Sequence, residues 1–164
     1  MDTCTAKIDQ FINQETTGWA GLPSGCEEDT ILSAYPFKDG AGTVRLGDAT
    51  VAYTFRVLAG KGFDEDISFC FADGQLALII AEFPPAGFMK TFDAFSTAGE
   101  HALCYDLYWR DEIIEGGEWA FNSRGITFGI IPSTRSLVKI MVYPPCGADA
   151  YRRKYYHSHS SREF

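Results

Sequence analysis

The feature that most constrains this chain is a change of hydrophobic period part-way along it. Up to about residue 36 apolar residues recur at helical spacing. From Thr43 to Tyr143 they mostly alternate, the pattern of strands with one face buried. Ile8, Phe11 and Ile12 predict a short N-terminal helix capped by Thr3 or Thr5. Ser24 precedes Glu27, Glu28 and Asp29, which suit the positive first turn of a second helix. Ile31, Leu32 and Tyr35 form its apolar side, and Pro36 ends it.

The alternating region predicts strands at 43–46, 50–58, 67–72 and 75–83, then at 102–109, 111–115, 118–122, 125–131 and 136–143. Gly47-Asp48, Asp73-Gly74, Gly116-Gly117 and Pro132–Arg135 are the expected turns. Residues 75–83 are apolar on both sides, which places them centrally in a sheet. Phe88, Met89, Phe92 and Phe95 return to helical spacing before Gly99, and a last helix is expected over about 148–156. The expected fold is α+β: a predominantly antiparallel sheet of about seven to nine strands with three or four helices.

The second half repeats the plan of the first. Ile67, Phe69 and Phe71 match Ile126, Phe128 and Ile130; Leu76 and Ile79 match Leu137 and Ile140. Phe83-Pro84-Pro85 matches Tyr143-Pro144-Pro145, with Gly87 and Gly147 following. The expectation is an internal duplication of a strand–hairpin–helix unit, both units sharing one sheet with helices on one face. It divides a single domain, 1–164, into a helical segment (about 1–36), unit one (about 43–98), unit two (about 102–156) and a polar tail (157–164).

Charge limits the partners. The formal net charge is −8, which argues against nucleic acid, whose phosphates need Lys and Arg. The exception is the end of the chain, where Arg152, Arg153, Lys154 and Arg162 face one Glu163. The first fifteen residues are polar and lack the apolar core of a signal peptide, and no apolar run approaches a membrane span. The five cysteines, Cys4, Cys26, Cys70, Cys104 and Cys146, are odd in number, widely spaced and without a CxxC. Reduced thiols in a cytoplasmic protein are the expectation, with Cys70 and Cys104 as small core residues.

No motif carries catalysis or a cofactor. There is no GxSxG elbow. Gly60-Lys61-Gly62 lacks the flanking residues of a phosphate loop, and Asp64-Glu65-Asp66 lacks the ligand spacing of a calcium loop. His101 with Cys104, and His157 with His159, fall short of a zinc ligand set. Asp111 and Glu112, adjacent on a strand, point to opposite faces and cannot act as a carboxylate pair. The expectation is no catalytic residue, no metal and no cofactor.

The densest cluster lies between Tyr105 and Arg124. Tyr, Trp and Arg are the residues most enriched at interface hot spots. Tyr108, Trp109, Arg110, Trp119 and Arg124 are therefore the candidate binding residues. A twisted hairpin with aromatic cross-strand pairs would carry the same residues for stability alone. In size and charge the chain is similar to bacterial accessory and immunity-type proteins, and no residue is carried over from that likeness. The expected function is a non-enzymatic protein-binding module, an immunity-type or adaptor protein for another, basic protein. The alternative is a small-ligand-binding protein or enzyme with a pocket in the aromatic-rich sheet, lined by Tyr53, Phe55, Phe69, Tyr105 or Phe128.

Overall fold

The computed structural model describes residues 3–16, 18–19, 26–35, 37–38, 43–46, 52–58, 67–109, 112–156 and 160–163. For residues 3, 37–38, 43–46, 52–58, 109 and 160–163 the description covers the backbone. In chain order the elements are α1 (Thr3–Ile12), α2 (Glu28–Ala34), β1 (Phe37–Lys38), β2 (Thr43–Leu46), β3 (Ala52–Leu58), β4 (Ile67–Ala72) and β5 (Gln75–Glu82). There follow α3 (Met89–Thr97), β6 (Leu103–Trp109), β7 (Glu112–Phe121), β8 (Ile126–Ile131), β9 (Ser136–Val142), α4 (Ala148–Lys154) and β10 (Ser160–Glu163).

The fold is α+β, with four α-helices and a six-stranded antiparallel sheet as its body, in the order β4-β5-β9-β8-β7-β6. Beyond β4 the ladder runs on through β3, β2 and β10, and β1 also pairs with β3. Counting these segments gives ten paired strands, not the expected seven to nine. β5 lies between β4 and β9, which is why both of its faces are apolar. The Gly47-Asp48 turn and the Gly60–Asp66 loop lie outside the described residues.

The β4–β5 turn follows from Asp73 and Gly74. Both take left-handed backbone, φ 52° and 78°, as a two-residue hairpin turn requires. The β8–β9 turn is longer, and Arg135 takes φ 50° there. Each hairpin carries one register shift: Phe71 pairs with Leu76 after Cys70 pairs with Leu78, and Ile130 pairs with Leu137 after Gly129 pairs with Lys139. Across the seam, Ile79, Ile80 and Ala81 pair with Val142, Met141 and Ile140.

Gly116-Gly117 is not a turn, contrary to expectation. β7 runs unbroken from Glu112 to Phe121, and the β6–β7 reversal lies between Trp109 and Glu112. The glycines mark a bulge: Asp106 pairs with Gly117, and the next pair is Leu107 with Ile114. Gly116 has φ 141°, and a Cβ there would stand 2.5 Å from the Ile130 carbonyl oxygen. A paired-glycine sequence serves a turn and a bulge equally well; the approach of β8 decides it.

The two faces of the sheet bury different aromatics. One carries Phe69, Phe71, Phe121 and Phe128, covered by α1 and α3 with Phe11, Phe88 and Phe95. Phe92 meets Phe128, Trp119 and Phe121 edge-on at 5.5, 5.6 and 6.1 Å between centroids. These are the tilted contacts that ring quadrupoles favour. The other face carries Cys70, Leu78, Ile80, Met141 and Tyr143, covered in part by Tyr151 of α4 and by Tyr155 just after it. The helices therefore lie on both faces, not one. The hairpins also end differently: Phe83 takes φ 47° and Tyr143 takes no such left-handed turn, so their chains leave in different directions.

Cys4 and Cys26 form a disulfide, which corrects the expectation of reduced thiols throughout. It fastens α1 to the segment ahead of α2. That segment is stitched to the β4–β5 turn, where Leu76 N–H donates to Cys26 O and Glu28 N–H to Gly74 O. Tyr35 Oη donates to Asp9 Oδ1 at 2.7 Å and ties α2 to α1. Ser160–Glu163, expected in a polar tail, pair antiparallel with β2. No helix among the described residues is long and apolar enough to cross a membrane.

Candidate functional site

Of the five residues expected to bind a partner, Tyr108, Trp119 and Arg124 have described side chains, and these three do not share one face. Trp119 belongs to the phenylalanine face: its ring lies against Gly117, where an added Cβ would stand 2.9 Å from it, and its edge meets Phe92. Arg124, in the β7–β8 turn, is also on that side. Its guanidinium pairs with Glu100 and lies 5.5 Å above the Phe95 ring, with the side chain 42% exposed. Tyr108 belongs to the opposite face, edge-on to Tyr156 at 5.7 Å. Trp109 ends β6; Arg110 lies outside the described residues. Nor do the residues expected to line a pocket converge. Phe69 and Phe128 are solid core on one face, Tyr105 lies on the other, and the side chains of Tyr53 and Phe55 are outside the description.

The most unusual chemistry lies on the tyrosine face. Glu118 and Lys139 form an ion pair there, their side chains 0% and 7% exposed. They come from β7 and β9, and Gly129 of β8 sits between them in register. The lysine stem crosses that glycine; a Cβ on Gly129 would stand 2.8 Å from Lys139 Cγ. Beside the pair, Thr127 donates to Tyr151 Oη at 3.0 Å and lies 2.8 Å from Tyr143 Oη. Tyr105 stacks between Tyr151 and Tyr156 at 5.9 and 4.5 Å, and Tyr155 stacks on Tyr143 at 4.5 Å. Six of the eight tyrosines meet here.

Burial pushes the Tyr143 and Tyr151 phenols well above their ordinary pKa, and the negative charge of Glu118 adds to it. Tyr156 is pushed up to about 12 by burial, then by Glu118 and Asp106. Such phenols stay protonated at neutral pH. Burial likewise raises the Cys146 thiol, with Lys154 opposing it. Cys104, expected in the core, is exposed.

The sheet ends at β6, and here the surface changes character. β7 pairs with β8 only from Gly117 to Phe121, so Leu107–Trp109 and Glu112–Ile114 continue as a two-stranded arm. Ile113 on that arm is 58% exposed, the large hydrophobic residue that stands out among the described residues. Asp106, Glu112 and Glu115 are exposed around it. The sequence held a signal for each part. Lys139 is a lone charge inside an apolar strand, and Glu118 alternates with Trp119 and Phe121, so neither shares their face. No protein-family model, curated protein or solved structure matches the chain.

Proposed function

We propose that this chain is a non-enzymatic protein-binding module that uses the β6–β7 arm as its recognition surface. The observation that carries this reading is Ile113, an apolar side chain 58% exposed on a two-stranded extension with acidic neighbours. An apolar anchor with a charged rim is the usual anatomy of a recognition patch. The acidic rim and the net charge of −8 select a basic protein as the partner and steer its approach. An immunity-type or adaptor role is the specific form of this function. The Cys4–Cys26 disulfide favours an oxidising compartment over the cytoplasm.

We further infer that the two halves arose by duplication. In support, a rotation that carries Ile79 onto Ile140 carries Ala81 onto Val142, exchanges the pairs Ile79–Val142 and Ala81–Ile140, and leaves Ile80–Met141 in place. The register shifts of the two hairpins fall at matching residues.

The test is site-specific photo-crosslinking in the native host, with the probe at position 113 and, as a control, at Ser133 in the exposed β8–β9 turn. A basic protein captured at 113 and not at 133 is expected. A probe at 113 that captures nothing beyond the control would overturn the reading.

A further inference from the structure

Resting on that binding reading, we infer that the open edge of β6 accepts an extended, basic segment of the partner as an added antiparallel strand along Asp106–Trp109. β6 closes the sheet, and no strand among the described residues pairs with its outer side. The molecule itself shows how the corresponding edge is covered. Counting outward from the β5–β9 seam, β5-β4-β3-β2 on one side answers to β9-β8-β7-β6 on the other. Cys70 and Gly129 both stand just before their hairpin's register shift. Phe55 pairs with Cys70 as Glu118 pairs with Gly129, and their neighbours Thr54 and Gly117 pair with Thr43 and Asp106. The stretch Thr43–Leu46 thus answers to Asp106–Trp109. Ser160–Glu163 lie antiparallel along the first of these.

The chemistry of the open edge chooses its occupant. Asp106, Glu112 and Glu115 are exposed along and beyond it, so Lys or Arg at alternate positions of an incoming strand would meet carboxylates. Tyr156, whose ring stacks on Tyr105, supplies aromatic surface for such cations. The Asp106 carbonyl oxygen accepts a hydrogen bond from Tyr156 Oη at 3.2 Å, so backbone of this strand takes a donor from outside the β6–β7 ladder. Ile113 lies on the same arm, one strand in from this edge and paired with Tyr108.

The test uses the full chain, isotope-labelled, and a synthetic peptide of about eight residues, a common strand length, alternating lysine with threonine. Binding is expected to slow amide exchange within residues 106–109 and leave 126–131 unchanged. It should weaken about tenfold in the triple variant Asp106→Asn, Glu112→Gln, Glu115→Gln. N-methylation of alternate peptide amides, which removes the ladder donors and leaves the charge, should abolish it. Equal binding by the N-methylated peptide, protection elsewhere, or no binding would each overturn strand addition. Concentration-dependent self-association that protects 106–109 without peptide would assign the edge to the tail of a second copy and overturn the foreign occupant. If the cross-link at 113 still forms while the peptide fails, strand addition falls and the binding module stands; if both fail, both fall.

Discussion

Replacing Lys139 by Met leaves the Glu118 carboxylate in a face from which water is excluded. The exposures of 0% and 7% place this pair in the buried regime, where stranding one charge costs about 3–5 kcal/mol, rather than the surface regime of about 0–1 kcal/mol. Glu118→Gln removes the other charge and should cost a similar amount. The fold also contains its own reference for the apolar alternative. Leu78 pairs with Cys70 just before the β4–β5 register shift, as Lys139 pairs with Gly129 before that of β8–β9, and Leu78 and Cys70 are fully buried without any charge. The double replacement Glu118→Met with Lys139→Leu should therefore come within about 1–2 kcal/mol of the parent, because neither charge of the buried pair remains. The two single losses would then fail to add by several kcal/mol. Urea denaturation with an unchanged slope measures each variant. Each single loss corresponds to a fall in Tm of roughly 6–20 °C for a chain of this size. Single losses below about 1 kcal/mol, or a double variant as unstable as the sum of the singles, would refute the reasoning.

Three other outcomes follow from the same geometry. Because the Tyr143 and Tyr151 pKa values are raised in the folded state, the unfolded chain loses those protons first as pH rises past 10; stability is full below that point and falls above it, by up to about 1.4 kcal/mol per pH unit for each phenol. Absorbance at the phenolate band should show these two ionising together with loss of near-ultraviolet dichroism, and smooth ionisation of all eight tyrosines in the folded protein would contradict it. Gly116→Ala should cost more than about 2 kcal/mol, since both φ and the Ile130 carbonyl oppose a Cβ, whereas Gly147→Ala, with no neighbour within 4 Å, should cost no more than about 1 kcal/mol. Thiol titration of the denatured, unreduced chain should find Cys70, Cys104 and Cys146 reactive, and all five after reduction. Reduction should remove about 3 kcal/mol of stability, the loop-closure value for the span from Cys4 to Cys26.

What the sequence revealed was local, and what it concealed was long-range. The β4–β5 hairpin was legible because Asp73-Gly74 and the alternation on either side agree. α3 was legible from Phe88, Phe92 and Phe95. The bulge at Gly116 was not, because its cause is a carbonyl group on another strand. Pairing of Cys4 with Cys26 depends on where α1 settles against the β4–β5 turn, which no spacing encodes. The clustering of Tyr, Trp and Arg between residues 105 and 124 was legible, but strand alternation and the β6–β7 bulge send its members to opposite sides of the sheet. The tyrosine face was hidden for the same reason: its members are spread from Tyr105 to Tyr156 and meet only through β9 and α4.

Gathering Phe69, Phe71, Phe121 and Phe128 on one side of the sheet and six tyrosines on the other equips the protein with two optical reporters. Trp19 and Trp119 both pack against the phenylalanine side, so once Trp109 of β6 is replaced by Phe, indole emission follows α1 and α3. Phenol absorbance follows α4 and the buried charges. Following both signals through a single melt would show whether the two layers let go as one unit or whether α4 detaches while the rest holds.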